Sequence, residues 1–352
     1  MSRAVWVIAA MVTVSVGHGS TATADAFVLG PPSNGRPVVV DASFQLRDLN
    51  AIDDEAETFE FSGVLQLSWR DERQAFDPAD VGADEKIYQG AYQFNELSPS
   101  WYPQVVLVNE SGMFQKHGVI LRVRPDGSST LTETINATAE ADLNLRRYPF
   151  DQHRLDAVFE VLGTDKSTVV LRARAEPAAD SGGGLRTPQW TLTQVRMSAK
   201  NRPATGPGGE GIASTFVVSV NVERESFFVV RLIVIPLMLI VMLSWSVFWM
   251  ERSALADRIS VSFIGILTAV AYQIVVSEIQ PHISYVTLMH GFLNLSLLIM
   301  CATVLINLLV GALDRKGKSE LGDRVDYRSR WIFPLSYFGL IGVMVGVAFT
   351  FF

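Results

Sequence analysis

The chain of 352 residues holds one cysteine, Cys301, and it lies in an apolar run. A disulfide framework is therefore excluded, and so is a cysteine zinc site. Positive charge is short as well: 29 Lys and Arg face 36 Asp and Glu, a formal net charge of −7. That balance argues against a nucleic-acid partner and fits a surface that attracts cations. The motifs of hydrolytic chemistry are missing. There is no G-x-S-x-G and no H-E-x-x-H, and the histidines and acids are scattered. The run Gly206-x-Gly208-x-x-Gly211 has the spacing of a dinucleotide fingerprint. It precedes a strand pattern instead of opening a helix after one, so it does not count as one. Nothing here implies an enzyme, a metal or a cofactor.

What is abundant is apolar: 49% of the residues are hydrophobic. The first stretch reads as a secretory signal, residues 1–24, with Arg3 as the positive end, Ala4–Val16 as the apolar core and Ala22-Thr23-Ala24 as the small-residue cleavage site. The apolar run is short for a membrane anchor, the competing reading. From about Val38 to Glu223 the period is two. Phe59, Phe61, Gly63, Leu65, Leu67 and Trp69 alternate with more polar neighbours, as do Leu155, Ala157, Phe159 and Val161, and Phe216, Val218, Val220 and Val222. Each pattern is that of a half-buried antiparallel strand. Turn signals at Pro125-Asp126-Gly127, Ser181–Gly184 and Arg202–Gly211 separate such runs. Residues 25–225 are thus expected to form an exported antiparallel β-sandwich.

At Phe227 the composition changes, and residues 226–352 read as a four-helix transmembrane domain. Spans are expected at about 227–249, interrupted by Pro236, then 259–279, 285–313 and 331–352, with a linker over 314–330. That linker carries Arg315, Lys316, Lys318, Arg324, Arg328 and Arg330, whereas the loop after the second span carries neither Lys nor Arg. Positive residues inside put the linker in the cytoplasm and both the N-terminal domain and the C-terminus in the periplasm, the whole in the inner membrane. The cytoplasmic segment is too short for an output domain, so a response to an outside signal must occur within the membrane.

The second span is wetter than a lipid-facing helix. Ser260, Ser262, Thr268, Gln273 and Ser277 lie in it, between Asp257-Arg258 and Glu278. Ser260, Ile264, Leu267, Ala271, Ile274 and Glu278 are spaced 4, 3, 4, 3, 4 and share one helical face. A face with a hydroxyl low down, aliphatics in the middle and an acid at the top suits a pore lining. The competing reading is a buried span whose serines bond back to their own helix.

The order of features resembles the pentameric ligand-gated ion channels, the Cys-loop receptor family, and their bacterial branch most closely. Trp69-Arg70-Asp71-Glu72-Arg73 is similar to the family's W-x-D-x-R, and Trp101-Tyr102-Pro103 followed by Asn109 to its W-x-P…N. Arg147-Tyr148-Pro149-Phe150-Asp151-Gln152 resembles the tip of the signature loop, and Arg224 and Pro236 match the family's residues before and within the first span. The cysteines that close the loop in animal members fall near Ala141 and Leu155 and are absent, as in bacterial members. The resemblance implies a homopentamer in membrane lipid with the second span around the axis. Asp257 then forms a carboxylate ring that selects permeant cations, unless it only caps the helix or pairs with Arg258. Ser260 forms a narrow polar ring. Ile264, Leu267, Ala271 and Ile274 form a dry gate, with Ile264 where relatives often carry a hydroxyl. Glu278 forms an outer ring.

The same resemblance assigns coupling between sandwich and pore to Asp54, Glu57, Pro149, Phe150, Asp151, Arg224, Pro281 and His282, with Arg224 pairing to Asp54 and Asp151. For the family's ligand pocket it leaves Trp101, Tyr102, Trp190 and Glu210, because the closing loop Arg202–Gly211 and the loop at Val161–Asp165 hold no aromatic residue to stack on an amine. Protons are the other candidate ligand, with Glu57, His153, His282 and His290 as sensing groups. The expected function is a ligand- or proton-gated, cation-selective channel, with a non-conducting periplasmic sensor on a membrane anchor as the alternative.

Overall fold

The computed structural model describes residues 30–33, 35–90, 93–94, 101–174, 186–205, 211–251 and 255–351. The expected signal segment 1–24 and Glu210 lie outside the described residues.

Among the described residues, eleven strands make two sheets. They are β1 Val38–Asp53, β2 Thr58–Arg70, β3 Lys86–Gln89, β4 Val105–Leu107, β5 Glu110–Val123, β6 Ser128–Glu140, β7 Gln152–Val161, β8 Val169–Ala173, β9 Arg186–Thr187, β10 Trp190–Pro203 and β11 Ile212–Arg224. One sheet runs β3-β5-β6-β2-β1-β8 and the other β4-β7-β11-β10-β9. Pairing is antiparallel except at the edge, where β1 and β8 run parallel. On β2 the apolar set from Phe59 to Trp69 is buried at every second residue. Phe44, Phe61, Phe159 and Phe216 join the sheets, with ring centroids 5.8–6.5 Å apart. Each buried ring contributes about 1.5–3 kcal/mol, so this cluster holds the two layers face to face. Gly63 makes room for it: a Cβ there would sit 2.3 Å from the Phe44 ring and 2.7 Å from the Gln45 carbonyl oxygen.

The residues that carried the family resemblance act here as ties. Buried Asp71 accepts two hydrogen bonds from the Arg73 guanidinium, both at 2.8 Å. Its amide donates to the carbonyl of Gly127 in the Asp126-Gly127 turn. Asn109 donates to the carbonyls of Glu140 and Asp156 at 2.8 Å and accepts from the amide of Val158. Those contacts flank Ala141 and Leu155, so hydrogen bonds close the base of the signature loop where no disulfide does.

Among the described residues, four helices are long and apolar enough to cross a membrane: α1 Ser226–Trp249, α2 Leu255–Ser277, α3 Leu288–Arg315 and α4 Ser319–Phe351. Within α1, Pro236 has no N–H to give to the carbonyl of Leu232. The hydroxyl of Tyr272 on α2 donates to that carbonyl instead, and the turn Val230–Val234 widens to a π-helix. Polar groups also join α2 to α3, Gln273 donating to the Leu293 carbonyl at 2.9 Å.

The expected linker over 314–330 is a difference. Only Lys316–Lys318 separate α3 from α4, and the rest is helix. Hydropathy finds the apolar part of a helix and stops where polar residues begin. The backbone of α4 needs no lipid to continue, and Asp326 and Ser329 bury against the bundle.

Candidate pore and coupling site

On α2 the buried residues are Arg258, Ser262, Ala269 and Val276, which share the side facing the rest of the bundle. Asp257, Ser260, Ile264, Leu267, Ala271 and Ile274 lie on the other side, and all are exposed in the single chain, as is Glu278 in the turn that follows. Ile264, Leu267 and Ile274 are 63%, 70% and 63% exposed, a run of aliphatics that no described part of the chain covers. Ser260 donates its hydroxyl back to the Ala256 carbonyl at 2.9 Å, and Thr268 does the same to Ile264. The serines therefore do satisfy the helix, while Ser260 still faces outward. Arg258 does not pair with its neighbour Asp257. It turns into the bundle and binds Asp326 on α4. Among the described residues Asp257 has no ion pair.

The membrane end of the sandwich is built around Arg224. The β10–β11 register sets Trp190 opposite Arg224, and the β7–β11 register brings His153 opposite Val222. Arg224 is buried. Its Nε donates to Asp151 at 2.9 and 3.1 Å and its Nη2 to both oxygens of Asp54 at 2.9 Å. Its plane lies 4.0 Å from the Trp190 ring and 4.9 Å from the Tyr148 ring. The second oxygen of Asp151 is 2.7 Å from His153 Nε2. Burial pushes the Asp151 carboxyl up, but the His153 hydrogen bond and the Arg224 charge together outweigh it and hold the group below its usual value. Burial opposes the charge of Arg224, and the Asp151 charge and hydrogen bond more than offset it, so the guanidinium stays charged. This cluster ties loop β1–β2, the signature loop and the strand that becomes α1.

A second contact joins loop β1–β2 to the α2–α3 loop. Glu55 accepts from the amide of His282 at 2.9 Å and meets His282 Nδ1 at 2.7 Å, both side chains exposed. The amide hydrogen bond, then the ring hydrogen bond, lower the Glu55 carboxyl. The Glu55 hydrogen bond, then its charge, raise the imidazole, with Glu278 adding to it. Tyr285 completes the junction, its hydroxyl accepting from the Leu145 amide at 3.0 Å. At the signature-loop tip Pro149 follows buried Tyr148, and exposed Phe150 packs at a tilt against Phe349 near the end of α4, 6.2 Å between centroids. Pro281 lines a cavity of about 630 Å³ with Asp54, Glu55, Arg224 and Glu278.

Of the residues picked from the sequence, Asp54, Asp151, Arg224 and His282 come together here, with His153 behind Asp151. Glu57 does not join them. It takes a positive φ of 52° in the β1–β2 turn and lines a separate cavity of about 620 Å³, with Glu140, Asp142, Arg154, Asp156, Lys200 and Arg202. His290 caps α3, exchanging hydrogen bonds with Thr287. Trp190 serves Arg224 at the membrane end. Trp101 packs edge-on against Trp69 and Tyr102 against Phe94, just before β4, which pairs with the opposite end of β7. The three aromatics therefore do not share a pocket. Glu55 and Tyr285 were not singled out from the sequence; the first sits in an acidic run from which Asp54 and Glu57 were chosen instead.

The arrangement has counterparts. Residues 27–225 match the neurotransmitter-gated ion-channel ligand binding domain and residues 233–333 the neurotransmitter-gated ion-channel transmembrane region. A proton-gated ion channel of Gloeobacter violaceus is 27% identical over 257 residues, 73% of this chain and 68% of that one. A gamma-aminobutyric acid receptor subunit beta-4 of Gallus gallus is 26% identical over 266 residues, 73% of this chain and 52% of that one. The rho-2 subunit of Homo sapiens is 23% identical over 299 residues, 82% of this chain and 62% of that one. The matches thus span between about half and two thirds of these relatives' lengths. With both its sandwich and its helical region matched, the chain belongs to the neurotransmitter-gated ion-channel family, as a multi-pass ligand-gated channel with an extracellular N-terminal domain.

Proposed function

We propose that five copies assemble around α2 into a cation-selective channel in the cell membrane, opened from the extracellular side through the Arg224 cluster. The observation that carries this reading is the uncovered face of α2, with Asp257 at one end, Glu278 at the other and aliphatics between. Closed point-group assembly turns each residue of that face into a ring. Carboxylates at Asp257 concentrate cations and repel anions, and Glu278 adds negative potential at the outer mouth. Ser260 offers its oxygen lone pairs to a partly dehydrated ion. Rings of Ile264, Leu267, Ala271 and Ile274 close the path by dewetting. The buried Arg224 holds two acids from different loops, so a shift of the sandwich must move loop β1–β2, the signature loop and α1 together.

Protons fit the junction as an activating or modulating ligand. The Glu55–His282 contact spans the two halves of the gate linkage and contains a group that titrates near neutrality, and one relative is named a proton-gated channel. The groups that face His282 are Glu55 from loop β1–β2 and Glu278 from the end of α2. A small zwitterion is the second reading. The cavity beside Glu57 opposes Arg154, Lys200 and Arg202 to Glu140, Asp142 and Asp156, and offers both signs of charge to an amino acid. Other relatives are named as gamma-aminobutyric acid receptor subunits.

The test is electrical. Purified protein in planar bilayers, under a salt gradient and pH steps, is expected to pass current that reverses on the cation side. Silence across pH 4–9 ends the proton reading, as an absence of response to amino acids and amines ends the second. Failure to conduct under any stimulus favours the non-conducting sensor.

A further inference from the structure

Asp257 and Arg258 are adjacent in sequence at the base of α2, yet they meet opposite environments. Consecutive helical residues are separated by about 100° around the axis. Asp257 is exposed on the uncovered face, whereas the Arg258 side chain is 1% exposed. Arg258 Nη2 donates to Asp326 Oδ1 at 2.5 Å, and Asp326 is itself buried. Among the described residues the Arg258 Nε has no hydrogen-bond partner. Beside it Ser262 donates to the Arg258 carbonyl, and Asn307 on α3 donates to Ser262. Among the described residues, Asp326 is the acid that forms an ion pair with this guanidinium. Two other charges on that stretch of α4 are engaged elsewhere: Arg324 pairs with Glu320 and Arg330 donates to the Phe248 carbonyl.

We propose that Asp326, on the last helix and away from the pore face, determines ion selectivity by holding Arg258 out of the cytoplasmic mouth. The inference rests on the cation-channel reading of α2 given above. A buried cation that loses its acid does not stay buried. The arginine stem is long enough to carry its head to water, and the adjacent exposed side of the helix carries Asp257. A released Arg258 at each subunit then cancels the carboxylate ring residue for residue. Asp326 is a positioning residue in this account, since it touches no permeant ion.

The experiment is the permeability ratio of sodium over chloride, read from reversal potentials in a NaCl gradient. Asp326→Asn is expected to lower the ratio by about tenfold, the smaller end of what a focused charged cleft contributes. Asp326→Glu is expected to keep it. The double variant Arg258→Gln with Asp326→Asn is also expected to keep it, because no cation remains to be released. A merely structural role for Asp326 would impair the single and double variants alike and would change current amplitude rather than the ratio. If the homomeric Asp326→Asn channel does not assemble, a tagged mutant subunit is co-expressed with the wild-type chain. Channels purified through that tag contain the mutant copy and are expected to show a partial fall. An unchanged ratio in Asp326→Asn channels, homomeric or mixed, overturns the proposal, as does a double variant as unselective as the single. A wild-type channel that prefers chloride would instead sink the underlying cation reading, and the two failures are read from different traces.

Discussion

Asp54 and Asp151 grip the same guanidinium, but their burial differs, and that difference separates folding from gating. The Asp151 side chain is 1% exposed and that of Asp54 17%, against 4% for Arg224. Replacing Asp151 by Asn leaves Arg224 buried beside a neutral amide and takes the carboxylate from His153 as well. Breaking a buried pair costs about 3–5 kcal/mol, a large share of the 5–15 kcal/mol that holds a typical domain together. For a domain near 200 residues that corresponds to a drop of about 6–20 °C in melting temperature. Asp54→Asn is milder. Arg224 keeps Asp151, and the new amide oxygen can still accept from Nη2, so the loss stays near the lower end of the about 1.5–3 kcal/mol of a charged hydrogen bond. Because that contact joins the β1–β2 loop to the strand entering α1, the loss falls on the movement between them. About 1.4 kcal/mol is a tenfold shift, so the midpoint of activation should move about tenfold toward stronger stimulus. Melting of the detergent-purified protein, followed by size-exclusion chromatography, reads the first quantity. Bilayer recordings over a range of stimulus read the second. If Asp54→Asn melts as early as Asp151→Asn, or leaves the activation midpoint in place, the division of roles is wrong.

Three further outcomes follow from the same structure. Ile264→Thr puts a hydroxyl into the dry stretch of α2 and should raise single-channel conductance and open probability; identical unitary currents would show that Ile264 does not line the constriction. The Glu55–His282 pair has a pH window. The imidazole is raised, so the pair holds below that raised value and is lost as pH climbs through it. The carboxyl is lowered, so the pair also fails as pH falls through that lowered value. His282→Gln should therefore flatten the gating response on the alkaline side of the ordinary histidine value, where the wild-type pair is lost, and a pH profile superimposable on wild type would remove this pair from the linkage. In the core, Gly63→Ala drives a methyl against the Phe44 ring and the Gln45 carbonyl. It should cost about 1–3 kcal/mol in chemical denaturation of the sandwich without altering ion selectivity.

Much of this architecture was legible because it depends on periodicity and hydropathy. The alternation from Phe59 to Trp69 is the burial pattern of β2, and the apolar runs give four spans. Helix length was less legible. Residues 319–330 are polar, and what makes them helical is the bundle they dock against at Asp326 and Ser329. Among site residues, Arg224, Asp54 and Asp151 were reached through the family resemblance; the fold brings them together because Arg224 ends β11 while Asp54 follows β1 and Asp151 precedes β7. The aromatics were harder. Tryptophan serves packing and binding with the same side chain, and only the register of β10 on β11 shows that Trp190 lies over Arg224. Histidine is equally ambiguous: His153 buttresses Asp151, His282 bridges two loops and His290 caps a helix.

The adjacent pair Asp257-Arg258 shows where one-dimensional reading stops. Two opposite charges side by side suggest neutrality, and a local pair was a fair alternative to a charged ring. Helical geometry gives the two side chains different directions, but not which one meets the pore. That is decided by a carboxylate 68 positions further on and by the close approach of α3, where a Cβ on Gly311 would lie 2.4 Å from Leu255. The Ser262–Asn307 hydrogen bond fixes the same rotation one turn later. With the helix held in that rotation and Asp326 in place, Arg258 faces inward, and in the proposed pore the mouth is left with the charge of Asp257. On the proposed cation-channel reading, the sign of the field an ion meets there is a property of the packing between α2, α3 and α4, and substitutions in that packing should change selectivity without touching the proposed pore face.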